Sequence, residues 1–262
     1  MRMSNLKKED LLNGFGALGI EKGMALEVHA SLSKFGYLEG GAETVINALM
    51  ESVGENGAIV MPSFRLSEHL PLTEGDKEMG LTSKIKILPE DCADSAMGVV
   101  ADTFRKRPDV RTGTGIFRVS AWGREADRHC LGLRHLINRG GYALLLGVDI
   151  YKLSAMHSVE DALPDGIRNR FQASPPAQAV YPETEWFIEA WEPPVKPWYQ
   201  IQDTAYRKGL IKDIRIGDAN CMFFKVKPVV ELYREALLKD PYQLYGICEA
   251  EPLRGGDEKK ND

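Results

Sequence analysis

Apolar residues recur at helical spacing in several stretches of the chain and form short dense runs in others. In residues 6–18 the leucines and Phe15 lie three or four positions apart, Ser4 or Asn5 is available as a cap, and Gly19 follows as a stop signal. The same periodicity predicts further helices over residues 42–53, 97–105, 127–139 and 228–239. Short runs rich in aliphatic and aromatic residues predict strands over residues 24–29, 58–62, 117–122 and 142–148.

The alternation of these helices and strands predicts an α/β layered domain with some parallel strand pairing. Residues 65–93 are polar and irregular, and we expect them to form a surface excursion over the sheet. Residues 175–198 are rich in proline and contain three tryptophans, which favours edge strands and turns over helix.

Composition narrows the class of protein. The 262 residues allow one large domain or two small ones, because a domain takes roughly 100–200 residues. Hydrophobic residues at 44% and charged residues at 27% exclude disordered, collagen-like and coiled-coil chains. No apolar run approaches the roughly 18 residues of a membrane span, and residues 1–19 lack the apolar core of a secretion signal. We therefore expect a cytoplasmic protein with no membrane partner.

The net charge of −5 gives no electrostatic reason to expect a nucleic-acid partner. A mildly acidic surface suits a cationic ligand instead. The four cysteines are too far apart for a CxxC knuckle, and we expect free thiols. The five histidines show no HExxH or similar spacing, so we expect no metal.

The strongest candidate for chemistry is the segment that follows the strand of residues 142–148. On a helix, Ser154, His157 and Glu160 share one face, because positions three apart stack above each other. A carboxylate beside an imidazole orients the ring and stabilises the imidazolium, so the histidine becomes a better general base. The alternative is that the His157 and Glu160 side chains form an ordinary surface contact.

Two further segments have a functional and a structural interpretation. His29-Ala30-Ser31-Leu32-Ser33 leaves a strand, and Gly40-Gly41 then opens a helix whose N–H groups can hold an anion. The alternative is a tight turn in which His29 has a structural role. The basic loop Arg111–Gly115, with Arg105, Arg107 and Arg118 near it, either receives phosphates or is a solvated face.

Three blocks of the chain, in order, resemble one known family. HASLSKFGYLEGGAETVINALMESVGENGAIVMPSF at 29–64, MGVVADTFRKRPDVR at 97–111 and LLLGVDIYKLSAMHSVE at 144–160 are similar to blocks of the aminoglycoside 3-N-acetyltransferases, which are distinct from the GNAT acetyltransferases. The resemblance implies a three-layer α/β/α fold with a mixed central sheet. It also implies a single acetyltransferase domain over residues 1–253 and acetylation of an amine from acetyl-CoA, an activity that confers antibiotic resistance. The polar, glycine-containing composition of residues 254–262 separately predicts a disordered tail.

The resemblance also implies roles for individual residues. His157 is similar to the family's catalytic base, Glu160 to its partner, and Ser154 to a threonine whose hydroxyl helps hold the thioester oxygen or the acceptor. The residues implied for coenzyme A, including the basic loop's arginine, are Ser31, Leu32, Ser33, Ser95, Met97, Gly98 and Arg111. The carboxylates available for a polycationic acceptor are Glu68, Glu183, Glu185, Glu189 and Glu192.

This chain departs from the family pattern at two points. The His-Pro pair that commonly follows the block at 97–111 is absent, and His-Ala-Ser at 29–31 replaces His-Ser-Ser. The acceptor therefore stays open between an aminoglycoside and another amine, such as a nucleotide- or sugar-linked one. A catalytically inactive CoA-binding homologue is a second alternative, and a serine hydrolase is a more remote third. The sequence also leaves open whether the chain forms a homodimer.

Overall fold

A seven-stranded mixed sheet forms the centre of the computed structural model, which describes residues 5–248. The strands in chain order are β1 Ala25–Ala30, β2 Ala58–Pro62, β3 Ser83–Lys86, β4 Arg111–Thr112, β5 Val119–Gly123, β6 Tyr142–Leu146, β7 Trp186–Glu189, β8 Lys212–Ile216 and β9 Ala219–Lys225. The large sheet has the order β4-β5-β2-β1-β6-β9-β8, and β3 and β7 form a separate antiparallel pair.

The α-helices surround the sheet and include several very short ones. In chain order they are α1 Lys8–Leu18, α2 Gly41–Val53, α3 Glu74–Glu78, α4 Gly98–Arg105, α5 Ala126–His129, α6 Arg134–Asn138, α7 Asp165–Phe171, α8 Pro175–Val180, α9 Pro197–Arg207, α10 Val226–Lys239 and α11 Pro241–Tyr245. Three further segments, Leu32–Phe35, Ile150–Lys152 and Ser154–Ala162, are 3₁₀-helical.

Alternating residues of the strands serve two cores, one on each face of the sheet. On β6, Ala143 and Leu145 join one core, and Leu144 and Leu146 join the other. Residues of α1, α2 and α4 cover one face, and residues of α6, α9, α10 and the Ser154–Ala162 segment cover the other. Each fully buried leucine contributes roughly 1.5–3 kcal/mol. The three-layer α/β/α architecture and its mixed sheet are as the family resemblance implied.

Three parallel strands, β2, β1 and β6, bring the carboxyl ends of β1 and β6 to one edge of the sheet. The Ser31 N–H donates to the Leu146 carbonyl at 2.9 Å, so the segment after β1 lies beside the segment after β6. Gly147 makes this approach feasible, because its φ is 68° and an added Cβ would lie 2.5 Å from the Lys34 Cβ. Open α/β sheets commonly bind ligands at such an edge.

Several local predictions differ from the structure. The helix predicted over 127–139 is broken into α5 and α6, and Gly132 between them has a φ of 134° that an ordinary helical residue does not adopt. The first helix begins at Lys8, so neither Ser4 nor Asn5 is its cap. The stretch over 175–198 contains α8 as well as β7, because Pro175 and Pro176 occupy a first helical turn, where proline is tolerated.

The excursion over residues 65–93 contains regular structure. Within it, α3 has a capping box between Thr73 and Asp76, and β3 pairs with β7 through the register Ser83↔Glu189 to Lys86↔Trp186. The pairing partner lies about a hundred residues away, which is why the local pattern did not reveal the strand.

Other sequence predictions concern single features of the chain. Cys92, Cys130, Cys221 and Cys248 are all free. Among residues 5–248 no helix is long and apolar enough to cross a membrane, and no group of three or more His, Cys, Asp or Glu side chains is arranged to hold a metal ion. The tail predicted over 254–262 lies outside the described residues, and the domain boundaries 1–253 stay a prediction.

Candidate active site

The segment Ser154–Ala162 begins shortly after β6 and is a 3₁₀-helix rather than the α-helix that its spacing suggested. This difference strengthens the predicted stacking, because residues i and i+3 eclipse each other in a 3₁₀-helix. The His157 Nδ1 lies 2.7 Å from the Glu160 Oε2, and Ser154 lies one turn before His157. The sequence therefore placed this imidazole–carboxylate pair correctly.

The environment of His157 shifts its proton affinity. Burial by the surrounding walls lowers the pKa of the ring, but the hydrogen bond to Glu160 and the charges of Glu160, Glu27 and Glu189 outweigh it, so the pKa is raised. The His157 side chain is nevertheless 59% exposed, since it faces open cavity space. Because Nδ1 is held by Glu160, Nε2 is the nitrogen that remains for a substrate.

A second carboxylate anchors this segment to the sheet. Glu27 on β1 is fully buried, and its Oε1 accepts the Ala155 N–H at 3.1 Å and lies 2.9 Å from the His29 Nε2. The Ser154 N–H lies 3.4 Å from the same His29 nitrogen. Glu27 thus ties the start of the 3₁₀ segment to β1, a role the sequence analysis missed. Its signal was a carboxylate among the apolar residues of a buried strand.

The first of two cavities at this edge of the sheet has a volume of about 500 Å³. Seven of the predicted site residues line it, namely Ser31, Leu32, Ser33, Met97, Gly98, Ser154 and His157, and His29 and Glu68 line it too. We call it the β1–α4 cavity. Its walls are mostly apolar or small, which suits an extended, partly apolar ligand.

Two residues predicted to bind coenzyme A, Ser95 and Arg111, do not line the β1–α4 cavity. Ser95 is next to the cavity wall but does not line it, because its N–H and hydroxyl are used by the Asp102 carboxylate at 2.7 and 3.0 Å. Arg111 does not line it either, since it lies on the edge strand β4 with its Nε 3.4 Å from Asp127. The basic loop is thus a solvated edge and not a wall of this cavity.

The second cavity, of about 780 Å³, lies on the other side of His157. Glu160, Glu189 and Glu192 line it, together with Arg168 and Lys196. We call it the β7 cavity. Of the carboxylates proposed for a cationic acceptor, Glu189 and Glu192 are therefore present, whereas Glu68 lines the β1–α4 cavity and Glu183 and Glu185 line neither.

Tyr151, His157 and Trp198 are the residues common to both linings. The Trp198 ring centroid lies 4.9 Å from that of His157 in an edge-on arrangement and 5.3 Å from that of Tyr151. Sequence reasoning assigned Trp198 to edge packing and did not single out Tyr151. The sequence around Trp198 and Tyr151 carried no signal for this site, because the contacts join α9 to a segment about forty residues earlier in the chain.

Two cavities that meet at a histidine paired to a carboxylate can hold two ligands on either side of one titratable side chain. Comparisons with known proteins identify the class. The family model described as Aminoglycoside 3-N-acetyltransferase matches residues 28–238. The chain therefore belongs to the aminoglycoside 3-N-acetyltransferase family, and it is an acyltransferase that acts on an amine.

Individual relatives agree with this assignment. The chain is 26% identical over 268 residues to the SPbeta prophage-derived aminoglycoside N(3')-acetyltransferase-like protein YokD of Bacillus subtilis (strain 168), covering 86% of this chain and 89% of that protein. It is 30% identical over 175 residues to aminoglycoside N(3)-acetyltransferase VII of Streptomyces paromomycinus, covering 59% of this chain and 60% of that protein.

Solved structures show the same fold. The apoenzyme of aminoglycoside acetyltransferase AAC(3)-IVa superposes with a TM-score of 0.66 at 22% identity, covering 94% of this chain and 93% of that one. A binary complex of AAC-IIIb with CoASH superposes with a TM-score of 0.65 at 20% identity, covering 90% of this chain and 97% of that one.

Proposed function

We propose that this protein transfers the acetyl group of acetyl-CoA to an amine of an aminoglycoside or aminoglycoside-like acceptor, with His157 as general base and Glu160 as its partner. The observation that carries the proposal is the position of His157 at the wall common to both cavities, with Nδ1 held by Glu160 at 2.7 Å. Each substrate then has its own cavity, and the base reaches both.

Acetyl-CoA occupies the β1–α4 cavity in this proposal. The hydroxyls of Ser31 and Ser33 lie at its wall, 3.3 Å from each other, and Met97 and Gly98 open α4 on the same side. The co-substrate supplies an acetyl group on a thioester, whose C–S bond is broken by the acceptor. The complex of AAC-IIIb with CoASH supports coenzyme A as the partner of this fold.

The acceptor amine lies in the β7 cavity. Its neutral nitrogen attacks the acetyl carbon, a C–N bond forms and the C–S bond breaks. His157 accepts the proton from nitrogen on Nε2 and then donates it to the departing thiolate, which leaves as coenzyme A. Glu160 holds the ring in the tautomer with a proton on Nδ1 and stabilises the imidazolium that forms. Ser154, one 3₁₀ turn before His157, lines the β1–α4 cavity, which holds acetyl-CoA in this proposal.

The test is release of free thiol from acetyl-CoA by the purified protein when amines are added. His157→Ala is expected to lower kcat/KM by about 10²–10⁴-fold, the usual contribution of a general base. His135→Asn is the matched control, because His135 lines neither cavity, and it is expected to keep the wild-type rate.

Two outcomes would contradict the proposal. Full turnover by His157→Ala would remove this residue as the base. Binding of CoA by calorimetry, without thiol release on any amine, would favour the inactive CoA-binding homologue instead.

A further inference from the structure

Two arginines near the basic loop are buried. The Arg105 side chain, at the end of α4, is 9% exposed, and Arg118, just before β5, is 7% exposed. Arg107 and Arg111 differ from them, because each forms an ion pair with an exposed carboxylate. Arginine is seldom buried unless its guanidinium is held by acceptors. The acceptors of Arg105 and Arg118 therefore indicate what these two residues do.

An irregular stretch, residues 88–97, leads from β3 to α4, and we call it the wall segment. Its last two residues, Ala96 and Met97, line the β1–α4 cavity together with the first residues of α4. Backbone hydrogen bonds to the carbonyls of Arg65 and Leu66 hold its two ends. Because the wall segment lies outside the helices and strands, the path of its middle depends on side chains that contact its backbone.

The two buried arginines hold the middle of the wall segment. Arg118 Nη1 donates to the Glu90 carbonyl at 2.8 Å. Arg105 Nη2 donates to the carbonyls of Cys92 and Ala93 at 2.7 and 3.2 Å. Hydrogen bonds from a charged donor are stronger than neutral ones, so these contacts fix the backbone of this stretch.

Arg118 also contacts the opposite side of the same wall. Its Nε donates at 3.0 Å to the carbonyl of Ser63, the residue that follows β2. The next residue, Phe64, lines the β1–α4 cavity. One guanidinium thus joins the end of β2 to the wall segment, and both of these parts of the chain contribute to the cavity lining.

Arg105 belongs to a second chain of hydrogen bonds that leads to the cavity. Its guanidinium contacts the Asp102 carboxylate at 3.0 Å, and this carboxylate accepts the N–H and the hydroxyl of Ser95. The Ser95 Oγ in turn accepts the Met97 N–H at 3.2 Å. Ser95, which was predicted to bind coenzyme A, thus holds a residue of the cavity wall instead.

The burial of Arg118 has a cost that its own contacts do not remove. Burial lowers the pKa of its guanidinium, and the nearby charge of Arg105 lowers it further. Among the described residues its Nη2 has no hydrogen-bond partner. A buried cation with an unsatisfied donor is weak evidence for a role in stability, so its contacts at the cavity wall are the better explanation.

From these contacts we infer that Arg105 and Arg118 are positioning residues for acetyl-CoA, which hold the wall segment in the shape that the β1–α4 cavity requires. The inference rests on the proposed function for the occupant of that cavity. Neither arginine lines the cavity, so both act through the backbone that they hold. Because neither lines the β7 cavity, their loss is expected to weaken binding of the donor and not of the acceptor.

The kinetic test is Arg118→Met, which keeps a long side chain and removes its donors. In thiol-release assays with neamine as the acceptor, the KM for acetyl-CoA is expected to rise about tenfold, with changes under about threefold in kcat and in the KM for neamine. Arg107→Met is the matched control, because Arg107 donates to Glu43 and Asn47 and not to the wall segment. Equal rises in both KM values for Arg118→Met would show a general structural defect and overturn the inference.

Two further variants keep the test decisive if Arg118→Met does not fold. Arg118→Lys retains the charge and a donor, and it is expected to raise the KM for acetyl-CoA by less than about threefold, since lysine lacks the planar fork. Arg105→Met removes the donors to Cys92 and Ala93 and is expected to raise the same KM several-fold. An unchanged KM for acetyl-CoA in folded Arg105→Met would contradict the positioning role.

A binding measurement separates failure of this inference from failure of the proposed function. Calorimetry with CoA needs no turnover, and the Kd of Arg118→Met is expected to be about tenfold above those of the wild type and Arg107→Met. That result, with no thiol release by the wild type on any amine, would retain the positioning role and refute the acetyl transfer. Thiol release by the wild type, with one CoA Kd for wild type and Arg118→Met, would refute the positioning role alone. Absence of CoA binding by the wild type would refute both.

Discussion

Two clusters in this protein contain a carboxylate paired to a basic side chain, and they differ in what surrounds them. In the first, which we call the closed cluster, Asp76 of α3 contacts the Lys84 ammonium of β3 at 2.5 Å and accepts the Tyr181 hydroxyl. In the second, the open pair, His157 contacts Glu160 at 2.7 Å. The side chains of Asp76 and Lys84 are 0% and 9% exposed, whereas those of Glu160 and His157 are 29% and 59% exposed.

The two clusters differ in whether a ligand can reach the paired side chains, and this exposure separates them more clearly than the pairing does. Both oxygens of Asp76 are occupied, because Oδ2 also accepts the Thr73 N–H at 2.8 Å. The closed cluster therefore joins α3, β3 and the end of α8 and leaves no group for a substrate. In the open pair one imidazole nitrogen faces cavity space, where the proposed acetyl transfer uses it as the base.

Removing the cation of the closed cluster is expected to have the largest effect on stability. Lys84→Met leaves the buried Asp76 carboxylate without its charge partner and should lower the free energy of unfolding by about 3–5 kcal/mol. Urea denaturation at pH 7 measures this. Lys77→Met is the matched control, because Lys77 forms an exposed ion pair with Glu74 on α3, the helix that contains Asp76. This variant should lower the free energy of unfolding by under about 1 kcal/mol. Equal losses for the two variants would mean that burial does not distinguish them.

The pH dependence of the closed cluster provides a second measurement. The hydrogen bond from Lys84, then that from Tyr181, holds the pKa of Asp76 far below its usual value, although burial opposes them. A depressed pKa stabilises the fold above the ordinary aspartate pKa of about 4, and this contribution is lost as the pH falls below it. Lys84→Met lets Asp76 take up a proton, so the stability deficit of the variant should shrink between pH 7 and pH 4. A stability deficit of Lys84→Met that grows as the pH falls from 7 to 4 would contradict Lys84 as the group that holds the pKa of Asp76 low.

A smaller loss is expected when the closed cluster loses one hydrogen bond and keeps its charges. Tyr181→Phe removes the hydroxyl that donates to Asp76 Oδ1 and should cost about 1.5–3 kcal/mol of unfolding free energy. Tyr37→Phe serves as control, since Tyr37 is 54% exposed. A loss no greater than that of the control would mean that Lys84 and Thr73 alone satisfy the carboxylate.

The open pair should respond in rate and pH profile, with little change in stability. Glu160→Gln keeps an oxygen acceptor for Nδ1 and removes the charge, so the raised pKa of His157 should fall and the acidic limb of kcat/KM should move to lower pH. The plateau should drop about tenfold, and the free energy of unfolding should change by under about 1 kcal/mol. Glu235→Gln on the exposed face of α10 is the control. An acidic limb that stays in place would argue against Glu160 as the partner of the base.

The local pattern of apolar residues was sufficient to predict the helices and strands that are defined by periodicity within a single segment. All of β6 except its first residue is buried, as its apolar run indicated, and α10 Val226–Lys239 covers the predicted amphipathic stretch. His157 and Glu160 were also placed correctly, because a spacing of three brings side chains together in either kind of helix. The break between α5 and α6 was missed, since Gly132 lies within an otherwise helical pattern.

The sequence by itself determined the layered fold and the stacked His157 and Glu160, since both depend on the periodicity of nearby residues. Only the tertiary structure decided which distant residues meet at the site. Packing of α9 brings Trp198 against His157, pairing of β3 with β7 brings Glu189 to the cavity, and the edge position of β4 leaves Arg111 away from it. The physical reason is that these contacts depend on how whole elements pack and pair across long stretches of chain, whereas sequence periodicity records only which face of each element is buried.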